Sequence, residues 1–217
     1  MTRTSRAGAS ADTARMGLVL LHGRGAGAED ILGLGAALGL PDIALIAPEA
    51  PGRSWWPTSF LAPMGGMAPH VENGLAAVDE AIATLEADGL TRDRIALAGF
   101  SQGGCLALEY AARRGGLAAV FGLSAGLVGT SDAMGGPDAA LYGATPKRFA
   151  YDTDLTGLPV TITIHTQDPH IPLKRAEDSA AAFRGLGAKV DLQVTQGAGH
   201  SVTEGGVRAM RAILNKG

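Results

Sequence analysis

The residues Gly99-Phe100-Ser101-Gln102-Gly103 fit the pattern G-x-S-x-G. Such a spacing suits a serine held on a tight strand-to-helix turn, where small neighbours let the helix and a substrate approach its hydroxyl. The pattern alone is weak in a chain with 32 glycines, and Gly122-Leu123-Ser124-Ala125-Gly126 matches it too. Context separates the two. Ser101 follows an apolar run over 94–98 and precedes a helix-forming stretch, GCLALEY. Beyond Ser124 lie Gly126, Gly129, Gly135, Gly136 and Pro137, which oppose a helix. Ser101 is therefore the candidate nucleophile, and Ser124 reads as a structural strand end.

A serine hydroxyl is a poor nucleophile at neutral pH and needs a base, itself oriented by an acid. On an alternating strand and helix scaffold these partners come later in the chain, in the order acid then histidine, each in a loop after a strand. Asp168 follows the apolar run 160–165, and His200 follows the run 189–195 through Gly197-Ala198-Gly199. Asp152 and Asp154 are the substitutes for the acid, and a turn-forming role before Pro169 is the plain alternative for Asp168. His170 is a rival base, although its closeness to Asp168 makes it awkward to aim at a serine on another strand. His165, Asp168 and His170 also spell H-x-x-D-x-H, but no helical i, i+4 histidine pair or cysteine ligand supports a metal site.

Acyl transfer would place negative charge on a carbonyl oxygen, which two fixed backbone N–H groups must meet. The residue after the nucleophile, Gln102, is one donor, and Arg24 in the early loop HGRGAGA is the expected second. His22 in that loop reads as a bracing residue. Gly23, Gly25 and Ala28 also resemble a dinucleotide fingerprint, with Glu49 at the end of the next strand. Against it, Glu29 and Asp30 put negative charge where a pyrophosphate would sit, and the reading leaves Ser101, Asp168 and His200 unused.

The elements that must hold these groups alternate. Short apolar runs at 17–22, 43–47, 94–98, 118–123, 160–165 and 189–195 read as strands. Amphipathic stretches at 29–38, 71–87, 102–114, 173–186 and 203–216 read as helices. The alternation predicts an α/β single domain over 16–217 with a mostly parallel sheet, and residues 1–15 read as a tail or edge strand. Two stretches fit neither period: 53–69, which holds Trp55, Trp56 and Phe60, and 128–158, rich in Gly, Pro and Asp. Long connections of this kind usually carry a binding surface, so both are candidate pocket walls.

Composition narrows the classes further. At 217 residues, 46% hydrophobic and 18% charged, the chain is long enough for one layered core and holds no apolar run of membrane-spanning length. A net charge of −3 with no basic cluster argues against nucleic acid as a partner. Lone Cys105 and the lack of an apolar leader in residues 1–15 lead to a cytoplasmic expectation.

The segments LLHGRGAGAEDIL, APEAPGRSWWPTSF, GFSQGG, DPHIP and GAGHSVT together resemble the serine carboxylesterase branch of the α/β-hydrolase superfamily, which includes acyl-protein thioesterases and lysophospholipase-like esterases. The resemblance runs over about residues 16–215. It implies a cofactor-free hydrolase of small-molecule esters with Ser101, Asp168 and His200 as triad and no large lid domain, and it brings a homodimer as an expectation. The Trp55-Trp56-Pro57 segment is similar to the small-ester and hydroquinone-linked group, which favours Trp55, Trp56 and Phe60 as substrate contacts over a long acyl tunnel. Acyl-protein thioesterase or lysophospholipase activity is the alternative, followed by a dinucleotide-dependent oxidoreductase or a binding module without turnover.

Overall fold

The computed structural model describes residues 3–216. Runs whose side chains are apolar on both faces form strands covered from both sides, β2 (Met16–Leu21), β3 (Ile43–Pro48), β4 (Ile95–Phe100) and β5 (Ala119–Leu123), and β8 (Pro159–Gln167) is buried likewise although Thr161, Thr163 and His165 occupy one of its faces. They pair in parallel. The exposed strands take the edges, β1 (Thr4–Gly8) antiparallel to β3 and β9 (Lys189–Ala198) parallel to β8. The order is β1-β3-β2-β4-β5-β8-β9.

Two helical layers follow from the two-residue alternation of strand side chains. Leu18 and Leu20 of β2 share a cluster with Ile31 and Leu32 of α1 (Ala28–Ala37) and with Met210 and Leu214 of α5 (Glu204–Leu214). Val19 and Leu21 face the other way. There they share a cluster with Val71 and Val78 of α2 (Met64–Ala87), Leu106 of α3 (Gln102–Arg114) and Phe183 of α4 (Leu173–Gly185). From β2 the chain moves outward to β3 and then crosses back to β4, so a crevice opens beyond the carboxyl ends of β2 and β4.

The helix α2 begins at Met64, inside the stretch that periodicity reads as irregular, and it carries Pro69. Its start is set from far away in sequence, because the Asp132 carboxylate accepts the Met64 N–H at 3.2 and 3.3 Å. Met64 and Met67 are buried, which anchors these opening turns despite the hydrogen bond that Pro69 forgoes. Asp132 belongs to a short antiparallel pair, β6 (Ser131–Asp132) with β7 (Lys147–Arg148), within the long 128–158 excursion.

The root of that excursion is tied to α3 through Glu109, which is fully buried. Its carboxylate accepts the Val128 and Gly129 N–H groups at 3.1 and 3.2 Å, the Tyr151 hydroxyl at 2.8 Å and Arg113 Nε at 2.7 Å. Burial pushes the Glu109 carboxyl upward, while Arg113 and the Tyr151 hydroxyl pull against that shift. Glu109→Ala would strand the buried Val128 and Gly129 amides and the Tyr151 hydroxyl and remove one of the two carboxylates on Arg113, so it is expected to destabilise the protein by about 3–5 kcal/mol in urea unfolding. A loss under about 1 kcal/mol, the range of an exposed ion pair, would show that the clamp contributes little.

Candidate active site

Ser101 joins β4 to α3 with φ 54° and ψ −119°, a backbone conformation that residues with a Cβ rarely adopt. The turn is held by its own N–H, which donates to Leu123 O at 2.8 Å, and by its carbonyl, which accepts Cys105 N–H at 2.9 Å. Two glycines make it sterically feasible. A Cβ on Gly99 would lie 2.2 Å from Gly103 O, and one on Gly103 would lie 2.2 Å from Leu21 O.

His200 and Asp168 come to this serine from the loops after β9 and β8. His200 Nε2 stands 2.8 Å from Ser101 Oγ, and Nδ1 stands 2.7 Å from Asp168 Oδ2. A carboxylate only accepts, so Nδ1 carries the proton and Nε2 is free to accept the serine hydroxyl. Asp168 Oδ1 takes the N–H groups of His170 and Ile171 at 2.8 and 2.9 Å. Burial works to raise the Asp168 pKa, but the bonds from His200 and the two amides outweigh it and hold the carboxyl below its ordinary range.

The competing residues go elsewhere. Asp154 accepts Thr156 N–H in an exposed turn. His170 sets its ring edge-on to His200 at 4.8 Å, with Phe100 at 5.1 Å on the same imidazole. His165 is buried against Gly199, where a Cβ would meet its ring at 2.7 Å. Among the described residues no group of three His, Cys, Asp or Glu side chains is placed to hold a metal. Ser124 also has a positive φ of 47°, and its hydroxyl donates to Ser201 O at 3.0 Å while its N–H donates to Thr163 Oγ1 at 3.1 Å. It thus braces the residue next to His200, a contact that no sequence pattern marks.

The loop after β2 lies against the serine turn, for a Cβ on Gly23 would sit 3.4 Å from Ser101 Cβ. Neither the Arg24 N–H nor the Gln102 N–H donates to another group among the described residues. His22 fixes the loop from behind, with Nε2 accepting Ala50 N–H at 3.0 Å and Nδ1 donating to Gly23 O at 2.8 Å. Burial lowers its pKa, in keeping with a neutral ring. The N-terminal amides of α1 are already used, Gly27 N–H by Asp30 at 2.7 Å and Ala28 N–H by Glu49 at 3.2 Å. A pyrophosphate would have to displace both carboxylates.

The side chain of Gln102 does more than its position after the serine suggests. Its Oε1 accepts Trp55 N–H and its Nε2 donates to Trp56 O, both at 2.8 Å. The 54–56 segment is thereby bound to the first turn of α3. Beside Ser101 this leaves a cavity of about 470 Å³ lined by Trp56, Phe60, Cys105 and Ile171, with Arg24 and Ser59 also on its wall. Trp55 corrects the expectation made for it. Its Nε1–H donates to His22 O at 2.9 Å and its ring packs on His22 at 5.1 Å, so it lies behind the loop and off the cavity lining. Phe60 is backed by the buried Arg175 guanidinium, 5.8 Å from its ring centre. Burial pushes the Cys105 thiol up to about 12.

Residues 5–217 match the family model described as phospholipase/carboxylesterase. The phospholipase/carboxylesterase from Dyadobacter fermentans superposes with a TM-score of 0.85 at 30% identity, over 99% of this chain and 97% of that one. Esterase PE8 gives 0.77 at 25% identity, over 99% and 98%. The Bacillus cereus carboxylesterase shares the fold, with a TM-score of 0.76 at 18% identity over 100% and 94%. No functionally curated protein matches in sequence. No helix among the described residues is long and apolar enough to cross a membrane. With its mostly parallel sheet, its serine turn and a match along nearly its whole length, the chain belongs to the phospholipase/carboxylesterase family of serine ester hydrolases on the α/β-hydrolase fold.

Proposed function

We propose that this chain is a carboxylesterase for small and medium esters, working through an acyl-enzyme on Ser101. The observation that carries the reading is the continuous hydrogen-bonded series Ser101–His200–Asp168 beside two uncommitted amides. Ser101 Oγ bonds to the ester carbonyl carbon while its proton passes to His200 Nε2. The carbonyl oxygen becomes an oxyanion facing the Arg24 and Gln102 N–H groups, and Asp168 stabilises the imidazolium. Collapse of the intermediate breaks the bond to the alcohol oxygen, which takes the proton from His200. Water then repeats the sequence, releasing the acid and restoring the Ser101 hydroxyl. These steps need only the chain and water.

The size preference rests on the cavity. Its volume of about 470 Å³ suits a short or medium acyl group, and the buried side chains of Phe60, Cys105 and Ile171 form part of its wall. Wild-type protein is expected to hydrolyse p-nitrophenyl acetate and butyrate in preference to palmitate. Ser101→Ala should lower turnover by about 10³–10⁶-fold and abolish labelling by a fluorophosphonate probe. Hydrolysis that survives the substitution would overturn the serine mechanism, and a palmitate preference would move the reading to a thioesterase or lysophospholipase.

Asp168→Asn should cost about 10⁴-fold in kcat, because an amide favours the wrong histidine tautomer. The folded Asp168 carboxyl lies below its ordinary pKa, so its contribution to stability is present above the unfolded value and is lost as pH falls through the folded one. The stability gap between wild type and Asp168→Asn should therefore narrow as pH drops below about 4, read by urea unfolding across pH. A gap that widens towards acid would contradict the assignment.

Ser124 acts through the His200 loop and is a positioning residue. Ser124→Ala removes the bond to Ser201 O and should lower kcat by about tenfold to a hundredfold with little change in KM. An unchanged kcat would show that the loop holds its place without that bond.

A further inference from the structure

We propose that the alcohol half of the ester is bound in a second cavity, between the segment before α2 and the 142–145 loop, and that this site selects bulky, uncharged, apolar alcohols. The proposal rests on the esterase reading above. The second cavity has a volume of about 700 Å³ and shares two wall residues, Ser59 and His170, with the cavity at Ser101. It therefore adjoins the cavity at Ser101 across these two side chains.

The chemistry decides which half of the substrate goes where. The departing alcohol oxygen must receive its proton from His200 Nε2. His170 packs its ring edge-on to His200 at 4.8 Å and borders both cavities. A group leaving beside His200 is thus one side chain, His170, away from the second cavity, whereas Trp56, Phe60 and Cys105 line the first and leave it for the acyl group.

The walls have the character of a built site. Leu61, Pro63, Ala144 and Pro169 give it apolar surface, and Tyr142 adds a ring whose hydroxyl donates to the carbonyl of Asp168. Lys147, its side chain wholly buried, donates to Ala62 O and stands 3.1 Å from Asp132, so it ties the two walls together. Asp132 also lines the cavity, and its charge is matched by Lys147. That pairing disfavours an anion and leaves no unmatched charge to recruit a cation, so the surface suits a neutral apolar group.

The test holds the acyl group constant and varies the alcohol: ethyl, benzyl and 2-naphthylmethyl acetate, whose leaving groups are all primary alcohols. In the wild type, kcat/KM should rise along the series. Ala144→Trp, which fills the cavity from its rim, should lower the naphthylmethyl-to-ethyl ratio by about tenfold. The wild type should also be inhibited competitively by 2-naphthylmethanol and not by ethanol at equal concentration. A flat series, a ratio unmoved by Ala144→Trp or an absence of inhibition overturns the second site, the last whatever the variant does to folding. Failure of the wild type to hydrolyse any of the three esters would instead overturn the esterase reading on which the site rests.

Discussion

The closeness of α3 to β2 is the constraint on which the site depends. Gly103 sits so near Leu21 O and His22 O that any side chain there would collide with backbone. This approach lets the helix start directly beneath the loop after β2 and forces Ser101 into its positive φ. It also sets the Gln102 amide beside the Arg24 loop. Strain at one residue is offset by a sheet whose central strands are apolar on both faces, so the conformational cost is spread over a large buried core.

A second level of order comes from polar groups that join segments far apart in the chain. Gln102 binds the 54–56 segment, Asp132 caps α2, Glu109 secures the root of the long excursion and Ser124 steadies the His200 loop. Gln102, Glu109 and Ser124 are buried with satisfied partners and Asp132 is exposed but paired with Lys147, and together they fix loops that would otherwise be free to drift. Much of the wall of both cavities is irregular in secondary structure and depends on such contacts for its position.

This division explains what could be read in advance. Strands buried on both faces announce themselves as short apolar runs, and the chain order of Ser101, Asp168 and His200 follows from where such runs end; the fold brings the three within hydrogen-bond distance. The start of α2 was hidden because its cap, Asp132, lies 68 residues away. Trp55 looked equivalent to Trp56, yet a donor that reaches His22 O turns it away from the cavity. The bracing role of Ser124 was equally hidden, since its partner is a carbonyl 77 residues on. Local pattern carries periodicity and order, whereas the choice between neighbouring aromatic or hydroxyl groups is made by contacts across the fold.

Cys105 lies one helical turn beyond Ser101 and lines the same cavity. As a thiolate it would be the stronger nucleophile, and an acyl group seated above it could be captured as a thioester that the His200 relay is not placed to release. Burial holds its proton on, with a pKa of about 12, so at neutral pH the sulfur is a spectator. In the proposed acyl transfer, the hydroxyl and the thiol of one cavity would thus be told apart by solvation: the oxygen is given a base, and the sulfur is denied the water that its anion would need.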